Sequence, residues 1–176
     1  MPLTPFDLGP AVVLKAVWPG WFSLGVFTAV QVAIDVETVS HIATGQYPLH
    51  GPWHTVPGSV LVGAVILVPA RYGLAPVSAF LRRVLAPAPG IPRRVIDELA
   101  PVSWPGAALG ALLGALSHVA LDAFMHPDVT PLAPWRGGNP LFVPDSSFWL
   151  HAGCLVVGLL GLLAWPALAS RRQART

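Results

Sequence analysis

The sequence predicts an all-α fold embedded in a membrane: a bundle of about four apolar spans with a short re-entrant or interfacial helix at its N-terminus. Three observations carry this. Of the 176 residues, 54% are hydrophobic and only 10% charged, against roughly 25% charged in a typical soluble domain. The apolar residues gather in runs of helical length, separated by breaks rich in Pro and Gly. The excess positive charge, formally +2 with a pI near 9.2, is mostly arginine clustered in two places. That is a topology signal and not the basic face of a nucleic-acid binder. No internal repeat and no long hydrophilic linker divides the chain, so residues 1–176 are expected to form one membrane domain.

The N-terminus lacks the basic region and small-residue cleavage site of a secretory signal, and is expected to stay in the mature protein. Residues 7–17 are apolar apart from Asp7 and Lys15. At about 1.5 Å per residue they are too short to cross an apolar core of about 30 Å. A Trp18-Pro19-Gly20-Trp21 break follows, with its tryptophans where an aromatic belt would sit. Residues 22–39 form the first expected span. It is apolar at first and then carries Gln31, Asp35 and Thr38 on one face, while Glu37 and His41 make a second pair four residues apart. A polar stripe of that kind faces protein and not lipid. The stretch 41–55 reads as a loop rich in Gly, Pro and His.

Residues 56–70 form the next span, ending at Arg71-Tyr72, and a less apolar stretch to Arg82-Arg83 extends it or lies along the surface. The region 86–104 contains Pro87, Pro89, Pro92, Pro101 and the acidic pair Asp97-Glu98, and reads as a loop with at most one short helix. Residues 105–125 carry Gly106, Gly110 and Gly114 at four-residue steps, the spacing that lets membrane helices approach closely. This ladder offers a close-packing patch, including to a second copy of the chain in a homo-oligomer. The same steps continue as His118, Asp122 and His126. Residues 148–169 are nearly uncharged and stop at Arg171-Arg172, and form the clearest single span. Cys154 lies within it and reads as a small buried hydrophobe; a lone cysteine makes no internal disulfide.

Arginines 71, 82, 83, 93 and 94 flank one loop, and Arg171, Arg172 and Arg175 close the chain. By the positive-inside rule both regions are cytoplasmic, which brings loops 41–55 and 127–147 out together on the other side. Asp35, Glu37, His41, His50, His54, His118, Asp122, His126 and His151 then share one end of the bundle. A charge in the centre of a membrane helix costs about 2.5–3.5 kcal/mol on insertion scales, so such groups mark a pathway, a pair or a metal. His118 and Asp122 are four residues apart on one helix face. His50 and His54 repeat the spacing, although Gly51-Pro52 breaks a regular helix between them unless Pro52 opens the following helix.

Imidazoles and carboxylates together suit a divalent Zn, Mn or Fe ion, and such a set with an open position serves metal-assisted hydrolysis. The ion would lower the pKa of a bound water and polarise a carbonyl or phosphoryl oxygen. Asp35, His50, His54, His118 and Asp122 are the expected ligands. Glu37 is the expected base, or else a partner behind a ligand. His41 and His126 are additional candidates, and His151 reads as a wet interfacial group. Asp128, Asp145, Asp97 and Glu98 read as solvated loop charges. Trp53, Trp135 and Trp149 read as interfacial anchors, and the loop from Pro131 to Pro140 as a cover for a pocket.

The ordered blocks Ile34-Asp35-Val36-Glu37, Leu49-His50-Gly51-Pro52-Trp53-His54-Thr55 and Leu116-Ser117-His118-Val119-Ala120-Leu121-Asp122 resemble the YdjM-type, LexA-binding family of inner-membrane-associated metal-dependent hydrolases. The resemblance covers most of the chain through the order of short blocks. It implies a metal-dependent hydrolase of a bacterial inner membrane, with Asp35, Glu37, His50, His54, His118 and Asp122 at the matching positions. Asp7 stands where the family has an N-terminal His, and Glu37 where it has the second Asp of its block; both keep an oxygen donor.

The leading expectation is thus a hydrolase of lipid-linked or amphipathic esters and phosphoesters, in contact with the lipid bilayer and with no nucleic-acid partner. The alternative is a non-enzymatic ion or proton conductor or assembly factor using the same polar cluster. A third reading is a small binding protein that recruits a soluble partner through the arginine-flanked loop.

Overall fold

The computed structural model describes residues 5–18, 21–85 and 103–173. Of the expected loop at 86–104, residues 86–102, with Arg93, Arg94, Asp97 and Glu98, lie outside the described residues, as does Arg175. The described chain is helical: a 3-10 turn at Pro5–Leu8, α1 (Gly9–Val17), α2 (Leu24–Thr44), a 3-10 turn at Pro52–His54, α3 (Val56–Leu85), α4 (Trp104–Met125) and α5 (Ser146–Gln173). Four of these helices, α2 to α5, are long and apolar enough to cross a membrane. At about 1.5 Å per residue the shortest of them extends about 31 Å, the thickness of a bilayer core.

Local signals set the ends. Ser23 caps α2 by accepting the Val26 N–H at 3.3 Å, and Gly45 closes it at φ +66°, a left-handed conformation that glycine adopts without a Cβ penalty. The helix therefore runs past His41, five residues beyond the expected end at residue 39. Ser103 caps α4 in the same manner, accepting the Gly106 N–H at 3.3 Å, with proline in the first turn. α3 continues as one helix through Pro69 and Pro76 to Leu85, the first of the two placements the sequence left open for its second half.

α2 and α4 form the central pair and run parallel. The Ser23 N–H donates to the Gly106 carbonyl at 3.1 Å, and higher up the Gln31 amide donates to the Ser117 hydroxyl at 3.4 Å. Along this seam Val26, Val30 and Ile34 pack in one core with Ala107, Ala111 and Ala115. The glycine ladder of α4 permits this approach. A Cβ on Gly114 would stand 2.8 Å from the Phe27 carbonyl oxygen, and one on Gly110 would meet the Ser23 carbonyl. The face that the sequence offered to a second copy of the chain is therefore buried within one chain: Gly106, Gly110 and Gly114 are covered by the bundle, which removes them as a homo-oligomer contact.

α3 returns antiparallel along this pair through Val62, Ile66, Leu67, Ala70 and Leu74. It exposes Leu61 and Val65, and α5 likewise exposes Leu159, Leu160 and Leu163; such apolar outer faces suit lipid. α1 lies along α5 inside the bundle, where Gly9 passes against the Cys154 carbonyl and a Cβ would collide. Lys15 anchors the α1–α2 corner: it is fully buried and its ammonium donates to the Phe22 carbonyl at 3.0 Å. Trp18, Trp21 and Trp104 are exposed at the end where α2 and α4 begin. Trp53, Trp135 and Trp149 are exposed towards the other, so aromatic side chains ring both ends.

Candidate metal centre

The loop between α2 and α3 is clamped by two carboxylates. Glu37, on α2, accepts the Gly51 N–H at 3.0 Å, the Trp53 N–H at 3.1 Å and the Nδ1–H of His54 at 2.9 Å. Asp128, just after α4, accepts the Leu49 N–H at 3.0 Å, the His50 N–H at 3.2 Å and the Nδ1–H of His50 at 3.0 Å. The clamp closes tightly on Gly51: a Cβ there would lie 2.8 Å from Glu37 Oε1 and would push the carboxylate aside. Pro52 opens its own 3-10 turn, not α3. Each clamp fixes the tautomer: with Nδ1 carrying the proton, His54 and His50 both turn a bare Nε2 lone pair inward.

The inward face of His54 meets side chains from both central helices. Asp35, His54, His118 and Asp122 are all buried, and one ligand atom from each lies within 4.8 Å of the others. His118 Nε2 is 3.3 Å from Asp122 Oδ2, 3.4 Å from His54 Nε2 and 3.6 Å from Asp35 Oδ1, and His54 Nε2 is 3.5 Å from Asp122 Oδ2. These separations are longer than good hydrogen bonds, which lie at about 2.7–3.2 Å. They do match the edge of a tetrahedron whose centre stands about 2.0–2.2 Å from each corner, an edge of about 3.3–3.6 Å, which is the geometry of N and O ligands on zinc. Electron pairs converge here with few protons between them, and burial removes the water that would otherwise separate them. The residues therefore fit a divalent cation. Thr38 adds a hydroxyl 3.3 Å from His54 Nε2.

A second group adjoins the first. His50, His126 and Asp128 also bring ligand atoms within 4.8 Å of one another, with the His50 and His126 rings stacked at 4.5 Å and His50 Nε2 3.9 Å from Asp122 Oδ2. Burial pushes the His126 imidazole down to about 4, against the opposing pull of Asp122, and also lowers His50, so both rings are neutral at physiological pH. For Asp128, burial acts upwards, yet the facing His50 and the hydrogen bonds it donates hold the carboxyl below its ordinary range.

Of the five expected ligands, Asp35, His54, His118 and Asp122 form the inner set, and His50 stands beside it in the second. Glu37 lies behind His54, facing away from the inner set. His41 is outside both groups and instead fixes the loop, its Nδ1 donating to the Pro48 carbonyl at 2.8 Å. His151 is half-buried on α5 and belongs to neither group. Asp7 is buried and within electrostatic reach of His118, placed there by the return of α1 along α5. Asp128 corrects the expectation of a solvated charge, since its carboxylate takes three donors. A cue for it existed in the sequence, an acid two residues after His126, but its partner is 78 residues away.

The loop after α4 is drawn over this end. Asn139 donates to the carbonyls of Ala123 and His126 at 2.7 and 2.8 Å, closing the C-terminus of α4, and the Val56 N–H donates to the Pro131 carbonyl at 2.9 Å. Between this loop and the His50 segment lies an open cleft of about 380 Å³, bordered by His50, Asp128, Pro48, Thr130 and Pro134. Comparison with protein-family models, with curated proteins and with solved structures finds no match. Fold and site together define a helical membrane bundle whose central helices and α2–α3 loop bring together a buried His/Asp cluster that could bind a metal ion.

Proposed function

We propose that the chain is a metal-dependent hydrolase of a bacterial inner membrane, acting on an ester or phosphoester of an amphipathic or lipid-linked molecule. The observation that carries this reading is the convergence of Asp35, His54, His118 and Asp122 inside an apolar bundle, all within 4.8 Å and four of their six pairs at 3.3–3.6 Å. Bound there, a divalent Zn, Mn or Fe ion supplies an acidified water and a Lewis acid for the carbonyl or phosphoryl oxygen. The resemblance of the three sequence blocks to the YdjM-type hydrolases supports the reaction class. The cleft beside His50 supports the substrate class, because its mainly apolar wall opens at a tryptophan-rimmed end of the bundle.

The protein's own residues divide the work. Asp35, His118 and Asp122, on two helices packed without gaps, hold their atoms rigidly. His54 comes from a loop and needs an external brace, which Glu37 provides. Glu37 is accordingly a positioning residue, the second of the two roles the sequence left open, and its three donors leave it poorly placed to take a proton from water. The apolar packing of Val26, Val30, Ala107 and Ala111 between the cluster and the opposite end favours a closed reaction site over a conduction path.

Elemental analysis of the detergent-purified protein tests this. Stoichiometric divalent metal is expected, lost in His118→Ala and Asp122→Ala. Hydrolysis of a micellar chromogenic ester or phosphodiester should vanish with a chelator and return with added metal. Native protein without metal at neutral pH sinks the reading; metal without hydrolysis sinks its enzymatic half.

A further inference from the structure

The second group of side chains is arranged on the same plan as the first. In the inner set, His54 is backed by the carboxylate of Glu37 and turns Nε2 towards Asp122 Oδ2 at 3.5 Å. In the outer group, His50 is backed by the carboxylate of Asp128 and turns Nε2 towards that same oxygen at 3.9 Å. Because Asp128 holds the Nδ1 proton, the gap between His50 Nε2 and Asp122 contains two electron pairs and no hydrogen. A contact of that kind is repulsive in a buried setting unless a cation stands in it. His126, its ring stacked on His50 at 4.5 Å and grouped with it and Asp128, stands beside this gap as a further nitrogen donor. Asp122 approaches both groups, lying 3.3 Å from His118 Nε2 and 3.9 Å from His50 Nε2, and a carboxylate has two oxygens and about four lone pairs to divide between them.

We propose that the cluster is a two-cation centre: a second divalent ion is held by His50 and His126 beside the inner set, with Asp122 shared between the positions and Asp128 bracing His50. The inference rests on the metal reading of the inner set and deepens it. It also gives the cleft a function. The outer position is the one bordering that opening, because His50 and Asp128 line it, so an ester or phosphoester entering there meets the outer ion first. Paired ions about 3.5–4 Å apart clamp both the attacking and the leaving oxygen of a displacement, and phosphoesters are the substrates that gain most from such a clamp. The substrate class narrows accordingly to phosphoesters.

Zinc and manganese loading of the metal-free protein tests the number of ions directly. Equilibrium dialysis with Zn(II) is expected to give two equivalents per chain, falling to one in His126→Gln and in His50→Gln. Loading with Mn(II) should give an exchange-coupled electron paramagnetic resonance spectrum in the native protein and an isolated six-line spectrum in His126→Gln. One zinc per chain in the native protein, with an uncoupled manganese signal, overturns the two-cation centre while leaving the inner site standing. No bound ion of either kind overturns both. The stoichiometry of the native protein decides the matter even where a variant folds poorly.

Discussion

Glu37 and Asp128 illustrate how much a residue's meaning depends on what reaches it. Both are carboxylates close to histidines, and neither points its lone pairs at the inner set. Each accepts from two backbone N–H groups and one imidazole N–H, which ties the α2–α3 loop to α2 and to the end of α4. Behind a metal-binding imidazole such a carboxylate fixes ring orientation and raises basicity, and its loss weakens metal affinity about 10- to 100-fold. Glu37→Gln is therefore expected to raise the dissociation constant for zinc by that factor with little change in helix content, whereas His54→Ala abolishes inner-site binding. Competition with a chromophoric chelator separates these outcomes; equal effects of the two substitutions would place Glu37 among the ligands themselves.

At the scale of elements, the site depends on how closely α2 and α4 can approach. The small residues of α4 allow the Ser23 and Phe27 carbonyls to sit where side chains would normally intervene, and this closeness lets Asp35 reach His118. Gly114→Leu should force the pair apart and destabilise the bundle by about 1–3 kcal/mol, the range for overpacked cores. Gly153→Ala, on an α5 surface where an added Cβ meets nothing, should be neutral or slightly stabilising, as helix propensity predicts. Thermal unfolding in detergent compares the two, and equal midpoints would discount the α2–α4 contact. The ladder itself was legible in the sequence because four-residue steps mark one helix face. Its partner was not, since nothing in a local pattern says whether a small-residue face meets its own chain or another. The same limit applies to Lys15, which donates to a backbone carbonyl at a helix corner that no side-chain pattern marks.

For the whole molecule, hydropathy marked the spans directly, and the i, i+4 histidines and acids marked the four side chains that converge in the inner set, because both signals are local. Asp128 remained hidden because it acts across 78 residues. The orientation drawn from arginine placement is a matter for experiment. In a Cys154→Ser background, Trp135→Cys should react with a membrane-impermeant maleimide in intact cells, and Arg82→Cys only once the cytoplasm is opened. Labelling of both from one side would contradict a membrane bundle whose His/Asp cluster lies at the end facing away from the cytoplasm.

The parallel pairing of α2 and α4 also bears on how the protein is made. α2 has a mean hydropathy of 1.2, the lowest of the four spans, against 1.6 for α4 and 1.8 and 1.9 for α3 and α5. It precedes the other three in the chain and carries Gln31, Asp35 and Glu37. The side chains that offset these groups, His54 and Ser117 to Asp122, emerge from the ribosome later, and those on α4 some 80 residues later. The least lipid-soluble span must therefore wait beside the translocon, or in watery surroundings, until its partner arrives. The chemistry of the centre in this way imposes an order on biogenesis, with α4 completing the insertion of a helix synthesised well before it.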